Sequence, residues 1–361
     1  LDAIRAVSSV ELEPHKMLQS RIGIATGQVV VGDLVGETVS DAETVIGETP
    51  NLAARLQGAA TPNQIVLEAT TRRLVGNVFA TESLGLVNLK GFNAPVPAWS
   101  VIGEASAESR FEASRVQSVS ELIGREHELG LLLERWELAK GGEGNIVAVS
   151  GEAGIGKSRL IHALQDTIAN QQHFRLRYQC SPHHVNSAYF PIIQRLERAA
   201  GFSPDDASGA KLDKLEALLS MSGADVSEAV PIVAGLLSVP LEGRYDEPEL
   251  TPQRRRERTI ETLIQQVMAL SRLRPVLFVL EDAHWIDPST ELVISETMAR
   301  ITDAPVLMVI THRPEYGPPW SDQPHLSSLA LSRLGRTQVS QIIEVVGGTA
   351  LTQEIVDRIV D

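Results

Sequence analysis

One short string constrains this chain more than any other: Gly151-Glu152-Ala153-Gly154-Ile155-Gly156-Lys157-Ser158, followed by Arg159. It satisfies the spacing G-x-x-x-x-G-K-[ST], with a β-branched run before it and a helical pattern after it. Glycines at these positions let the backbone curl until its N–H groups converge on an anion, at the positive end of the following helix. Lys157 then reaches the β- and γ-phosphates, and the Ser158 hydroxyl can ligate Mg²⁺. The expected ligand is therefore ATP with Mg²⁺, held by a strand–loop–helix unit of an α/β parallel sheet.

Such a loop needs an acidic partner on a neighbouring strand. The best candidate is Val276-Leu-Phe-Val-Leu-Glu281-Asp282, an apolar run ending in two carboxylates where strand ends face the phosphates. Glu281 is expected as a second metal ligand beside Ser158, with Asp282 as its catalytic companion. The next apolar run ends in Thr311-His312-Arg313, which puts an arginine where it could sense the γ-phosphate. A solvated loop arginine is the plain alternative.

Continuous apolar runs at 276–280 and 306–310, separated by a helical pattern over 289–301, indicate parallel strands covered on both faces. Residues 126–139 and 158–169 read as helices around a strand at 146–149, and 189–270 as a mostly helical insertion. The stretch 104–119, rich in Ala, Ser, Glu and Arg, reads as a linker. It divides the chain into 1–103 and 120–361. The first part alternates strands and helices in an α+β pattern. Residues 21–27 and 28–36 are expected to form a hairpin. Thr49-Pro50 is expected to cap and open a helix.

The formal net charge is −14, which disfavours a nucleic-acid partner but leaves nucleotide binding open. The single cysteine, Cys180, excludes an internal disulfide framework and fits a cytoplasmic setting. No apolar run approaches the ~18 residues of a membrane span, so no membrane partner is expected. The chain begins with Leu1 inside a helical pattern, which reads as part of a longer protein.

GREHELGLLLERW, GEAGIGKSRL, LFVLEDAHWIDPST and ITHRPE together resemble the STAND signalling ATPases, relatives of the AAA+ ATPases, over about 122–361. By that resemblance Gly124-Arg125 lies near the adenine or at the domain edge, Glu281 and Asp282 fill the Walker B role, and Arg313 is the sensor. Glu281 replaces the usual aspartate, which the resemblance links to altered metal geometry and slower hydrolysis.

In the first part, Asn51 and Arg55 stand four residues apart, on one helical face. By spacing alone that is an ordinary solvated face. RIGIATGQVVVGDLVG, TVIGETPNLAARLQ and LGLVNLKGFNAPVPAWSV resemble the C-terminal half of a class III nucleotidyl cyclase domain, a ferredoxin-like sandwich, over about 21–102. The resemblance implies that Asn51 orients the ribose, that Arg55 stabilises the reacting α-phosphorus and that Thr44 reads the base, favouring ATP. It also implies a homodimer and places two metal aspartates and an adenine-reading lysine upstream. Asp33 and Asp41 do not match those positions, so residues 1–361 alone are expected to make no cyclic AMP.

Cys180, His183 and His184 are too few for a zinc cage. Arg254-Arg255-Arg256-Glu257-Arg258 reads as a solvated helix face, with phosphate or an acidic partner surface as the alternative. His15, His127 and His173 have no partner that sequence can supply. The leading reading is a signalling adenylate cyclase joined to an ATPase switch. The rivals are an ATP-dependent regulator with a degenerate cyclase-like dimerisation part, and an ATP-binding scaffold with negligible hydrolysis.

Overall fold

The computed structural model describes residues 1–8, 10–13, 16–32, 44–76, 79–92, 94–104, 122–203, 206–223, 225–320, 323 and 325–347. The chain divides into two compact units, Leu1–Val119 and Ser120–Asp361. The linker stretch beyond Glu104, together with Asp33, Asp41, His15 and the last residues from 348, lies outside the described residues.

In the first unit, α1 (Asp2–Ser8) precedes a small antiparallel pair, β1 (Glu11–Glu13) and β2 (Lys16–Met17). The main sheet uses β3 (Arg21–Ile24), β6 (Gln64–Glu68), β7 (Phe79–Val87) and β8 (Val96–Glu104), in the order β3-β6-β8-β7. β4 (Val30–Gly32) and β5 (Thr44–Ile46) form a separate antiparallel ladder. Helices α2 (Glu48–Ala59) and α3 (Ala69–Val75) flank β6 in sequence. Side chains alternate along β6: Val66 packs with Leu56 and Ala98, while Ile65 and Leu67 pack with Ile4.

Two expectations need correction. The described residues 21–32 of the expected hairpin do not pair with each other: β3 pairs in parallel with β6, whereas β4 pairs with β5. The reason lies between them. The Thr26 amide donates to Glu68 Oε1 at 3.2 Å and its hydroxyl meets that of Thr71 at 2.9 Å, so the chain continues past the end of β6. Thr49 is not a helix cap either, because α2 starts at Glu48 with Gly47 before it. The Thr49 hydroxyl instead donates to the carbonyl of Gln28 at 3.0 Å.

α2 lies hard against β3 through Gly23. A Cβ there would sit 2.2 Å from the Ala53 carbonyl oxygen and 2.3 Å from the Gln57 nitrogen, both backbone atoms. Gly23→Ala is expected to destabilise the first unit by about 1–3 kcal/mol, since neither atom can swing away. Urea unfolding followed at Trp99 checks this; a midpoint equal to that of the parent chain would contradict it.

In the second unit, α4 (Glu126–Lys140) leads to β9 (Asn145–Ser150) and α5 (Lys157–Ile168). β10 (Phe174–Gln179) follows, then four helices: α6 (Phe190–Ala200), α7 (Ser208–Ser220), α8 (Val226–Leu236) and α9 (Pro252–Leu273). β11 (Val276–Glu281), α10 (Pro288–Arg300), β12 (Val306–His312), β13 (Leu326–Ala330) and α11 (Arg336–Gly347) complete it. The sheet is parallel throughout, in the order β10-β11-β12-β9-β13. Its inner strands β9, β11 and β12 are buried from both sides. Leu176, Phe278 and Met308 face the insertion helices, whereas Val147, Val279 and Val309 face Trp136, Leu160 and Leu164 of α4 and α5. Apolar runs without alternation are what such a two-sided burial demands.

Candidate functional site

The sheet order sets the site. β9, first in the unit's sequence, lies between β12 and β13, so the loop after β9 opens at a switch point of the sheet. Open α/β sheets take their ligands at such points, beyond the strand C-termini. Gly151 leaves no room for a side chain, since a Cβ would fall 2.7 Å from Ile155 Cγ2 and 3.3 Å from Leu331 Cβ. Gly154 (φ +77°) and Gly156 (φ +106°) have open space around them. Their requirement is conformational, because the left-handed region excludes most side chains. Glu152 and Ala153 are exposed on the loop, Ile155 packs against the α4–α5 core, and Arg159 is half-buried on α5.

Lys157 is 8% exposed. Its Nζ donates to the carbonyls of Gly151 (2.7 Å) and Glu152 (2.8 Å), drawing the two ends of the loop together. Loss of hydration lowers its pKa, and the nearby Asp282 carboxylate opposes that effect. Ser158 Oγ donates to Glu281 Oε2 at 2.9 Å, so the end of β11 meets the start of α5. A hydroxyl and a carboxylate oxygen on one side of the loop form a hard-oxygen donor set of the kind Mg²⁺ takes.

Glu281 is 2% exposed and carries a partner that sequence reasoning missed. Arg177, from β10, donates through Nε at 2.7 Å and places Nη2 at 2.5 Å from the same oxygen, Oε1. The signal was available: in Phe174-Arg-Leu-Arg-Tyr-Gln179, Arg177 alternates with the core residues Leu176 and Tyr178. An arginine inside a core strand requires an anionic neighbour. Asp282 adopts a left-handed conformation (φ 55°). Its amide donates to Thr311 Oγ1 at 3.0 Å, and its carboxylate accepts from Gln179 Nε2 at 2.8 Å. Asp287 caps α10, taking the amides of Ser289 and Thr290, and also accepts the Tyr189 amide at 2.9 Å.

Arg313 stands beyond β12. Its guanidinium lies 5.2 Å from the centre of the Trp285 ring and 3.7 Å from Glu315. Arg125 is buried, donating to Glu128 at 2.9 Å and to the Ser332 carbonyl beyond β13, while Gly124 faces Leu334 and Gln338. Arg125 therefore ties α4 to the chain after β13.

In the first unit, Asn51 and Arg55 line a groove of about 630 Å³ together with Glu48, Lys90 and Phe92. Lys90 is a second residue that sequence reasoning passed over. It follows β7 at a turn, Lys90-Gly91, where φ of Gly91 is +92°. Thr44 opposes Gly32 in the β4–β5 ladder; its side chain lies outside the described residues. Cys180 is buried, and its thiol is pushed well above the usual range by loss of hydration. His184 stacks on Phe190 and His173 meets Trp136 edge-on. Among the described residues no group of three His, Cys, Asp or Glu side chains forms a metal cage, and no helix is long and apolar enough to cross a membrane.

A parallel five-stranded sheet, a glycine loop at its switch point and a carboxylate strand tip against Ser158 define an α/β domain of the P-loop AAA kind. The chain belongs to the AAA ATPase domain family, whose model matches residues 121–310, and residues 1–103 match the adenylate and guanylate cyclase catalytic domain. An uncharacterized protein of Rhizobium meliloti (strain 1021) is 33% identical over 319 residues, which is 88% of this chain. The chain spans only 30% of that relative's length. Among solved structures, the adenylyl cyclase CyaB from P. aeruginosa is 34% identical, covering 23% of this chain and 42% of that one, with a TM-score of 0.22. Cdc6p from Pyrobaculum aerophilum is 15% identical, covering 68% and 56%, with a TM-score of 0.39.

Proposed function

We propose that this chain is the nucleotide-handling part of a signalling adenylate cyclase whose AAA ATPase domain binds ATP as a regulatory switch. The observation that carries the ATP reading is the 2.9 Å contact of Ser158 with Glu281, beside the Lys157 ammonium at the mouth of the glycine loop. The loop amides and Lys157 bind the β- and γ-phosphates. Ser158 and Glu281 would hold Mg²⁺, which when bound offsets phosphate charge. Asp282 is the group left to orient a water, and Arg313 is placed to respond to the γ-phosphate.

The first unit supports the cyclase half of the proposal. Asn51 orients the ribose, and Arg55 and Lys90 bring positive charge to the triphosphate along one groove wall. In the intact protein, acting as a dimer, the ribose 3′-hydroxyl attacks the α-phosphorus and pyrophosphate leaves. Arg55→Ala in the intact protein is expected to lower cyclic AMP formation by about 10²–10³-fold, by loss of charge stabilisation in the transition state. A cyclic AMP assay at saturating Mg-ATP tests it, and a rate within threefold of the parent would refute the assignment. Equal cyclase rates from the intact parent and its Lys157→Ala variant would remove the switch while leaving both sites standing.

A second reading has its own support. Arg177 neutralises one oxygen of Glu281, which favours an ATP-holding module with slow turnover. Steady-state phosphate release well below one turnover per minute, at saturating Mg-ATP, would select that version.

A further inference from the structure

The basic run at the start of α9 divides into two kinds of arginine. Arg254 pairs with Glu257 (3.5 Å) and Arg258 with Glu228 (3.1 Å). Among the described residues Arg255 and Arg256 make no side-chain hydrogen bond or ion pair, and both are exposed. They line one wall of a half-open cavity of about 570 Å³ between α6, α8 and α9. The opposite walls are apolar, with Ile193, Ile232 and Leu236. Arg255 Nη1 stands 3.9 Å from where a Cβ on Gly235 would lie, which brings the guanidinium over α8.

Tyr189 also lines this cavity. Its hydroxyl is buried and has no hydrogen-bond partner. A buried hydroxyl in that condition is an unmet demand for an acceptor. Its backbone is held in the left-handed region (φ 59°), with its amide donated to Asp287 at 2.9 Å. Ser289, whose amide goes to the same carboxylate oxygen, is a further lining residue. The cavity is thus joined by two hydrogen bonds to the cap of α10, Asp287, which stands one short turn (Ala283–Trp285) beyond Glu281-Asp282.

We infer that this cavity is a binding site for a small organic anion with an apolar body, such as a medium-chain carboxylate. Two arginines that make no ion pair among the described residues meet the carboxylate, the tyrosine hydroxyl donates to it, and the aliphatic walls take the chain. A guanidinium fork suits a planar carboxylate better than a point cation would. An inorganic anion would leave the apolar walls unused, and a neutral alcohol would leave the arginines unanswered. The site lies in the helical insertion and does not depend on the ATP reading.

Calorimetric titration of the full chain with octanoate tests it, with octan-1-ol and inorganic phosphate as separate arms. Octanoate is expected to bind saturably at one site, and each comparison ligand at least about tenfold more weakly. Arg255→Gln with Arg256→Gln is expected to weaken octanoate by about tenfold or more, and Tyr189→Phe by about threefold. The urea unfolding midpoint of the same variants, read by tryptophan fluorescence, reports that the fold is kept. Absence of saturable octanoate binding would overturn the proposal. So would equal octanoate affinity in the parent and the double variant, or phosphate binding as tightly as octanoate. If the double variant does not fold, Tyr189→Phe decides: unchanged octanoate affinity there overturns the assignment.

Discussion

Replacing Lys157 by alanine is expected to weaken Mg-ATP binding by on the order of 10²–10³-fold, the effect of removing a buried, hydrogen-bonded charge from its ionic partner, about 3–4 kcal/mol. The ammonium is almost enclosed, so its attraction to phosphate is little screened by salt. The carbonyls it now engages, on Gly151 and Glu152, belong to a loop whose Glu152 and Ala153 are exposed. Water can replace the lost donor at the part-buried Glu152 carbonyl, so the unfolding midpoint should move far less than the affinity. Calorimetry gives the affinity and a urea titration gives the stability. A Lys157→Ala chain that folds normally and still binds Mg-ATP within threefold of the parent would remove the phosphate-cradle assignment.

What could be read before the structure follows from where physics acts locally. The glycine loop was legible because Gly154 and Gly156 occupy conformations that few other residues tolerate. β11 and β12 were legible because two-sided burial requires unbroken apolar runs, and all seven residues of β12 are buried. β13 was not, because it lies at the sheet edge with none of its residues buried, and Leu326-Ser-Ser-Leu-Ala330 carries no strong period. The false hairpin at 21–36 shows the same limit. Two neighbouring β-rich runs reveal that strands form but not which strand each joins: β3 joins β6, past which Thr26 meets Glu68 some forty residues away, and β4 joins β5. The Lys157, Ser158 and Glu281 constellation could be guessed from spacing. Lys90 could not, since it gains meaning only from neighbours brought by the fold; Arg177 was visible as a cation inside an apolar strand, but its match to Glu281 needed the sheet order.

Arg177 leads to the second large effect. Its guanidinium and the Glu281 carboxylate are 5% and 2% exposed, with contacts of 2.7 and 2.5 Å onto one oxygen. Removing one member of a buried pair strands the other charge away from water, at a cost of about 3–5 kcal/mol. That is a large share of the 5–15 kcal/mol typical of a domain. Arg177→Met should therefore lower the urea midpoint of the second unit by roughly 1–2 M, given a slope of about 2–3 kcal/mol per molar for a unit of this size. Tryptophan fluorescence reads this unit well, because Trp136, Trp285 and Trp320 all lie in it. Arg177→Met combined with Glu281→Met should regain most of the loss, since two apolar side chains leave no orphaned charge. The double variant would at the same time lose the Glu281 oxygen that meets Ser158, and with it the metal-dependent part of nucleotide affinity. Stability restored without metal-dependent binding would separate the two duties of Glu281: holding β10 to β11, and facing the nucleotide. A double variant as unstable as the sum of its single changes would mean that Arg177 and Glu281 act independently, and the pairing would no longer explain why this strand tip carries a glutamate.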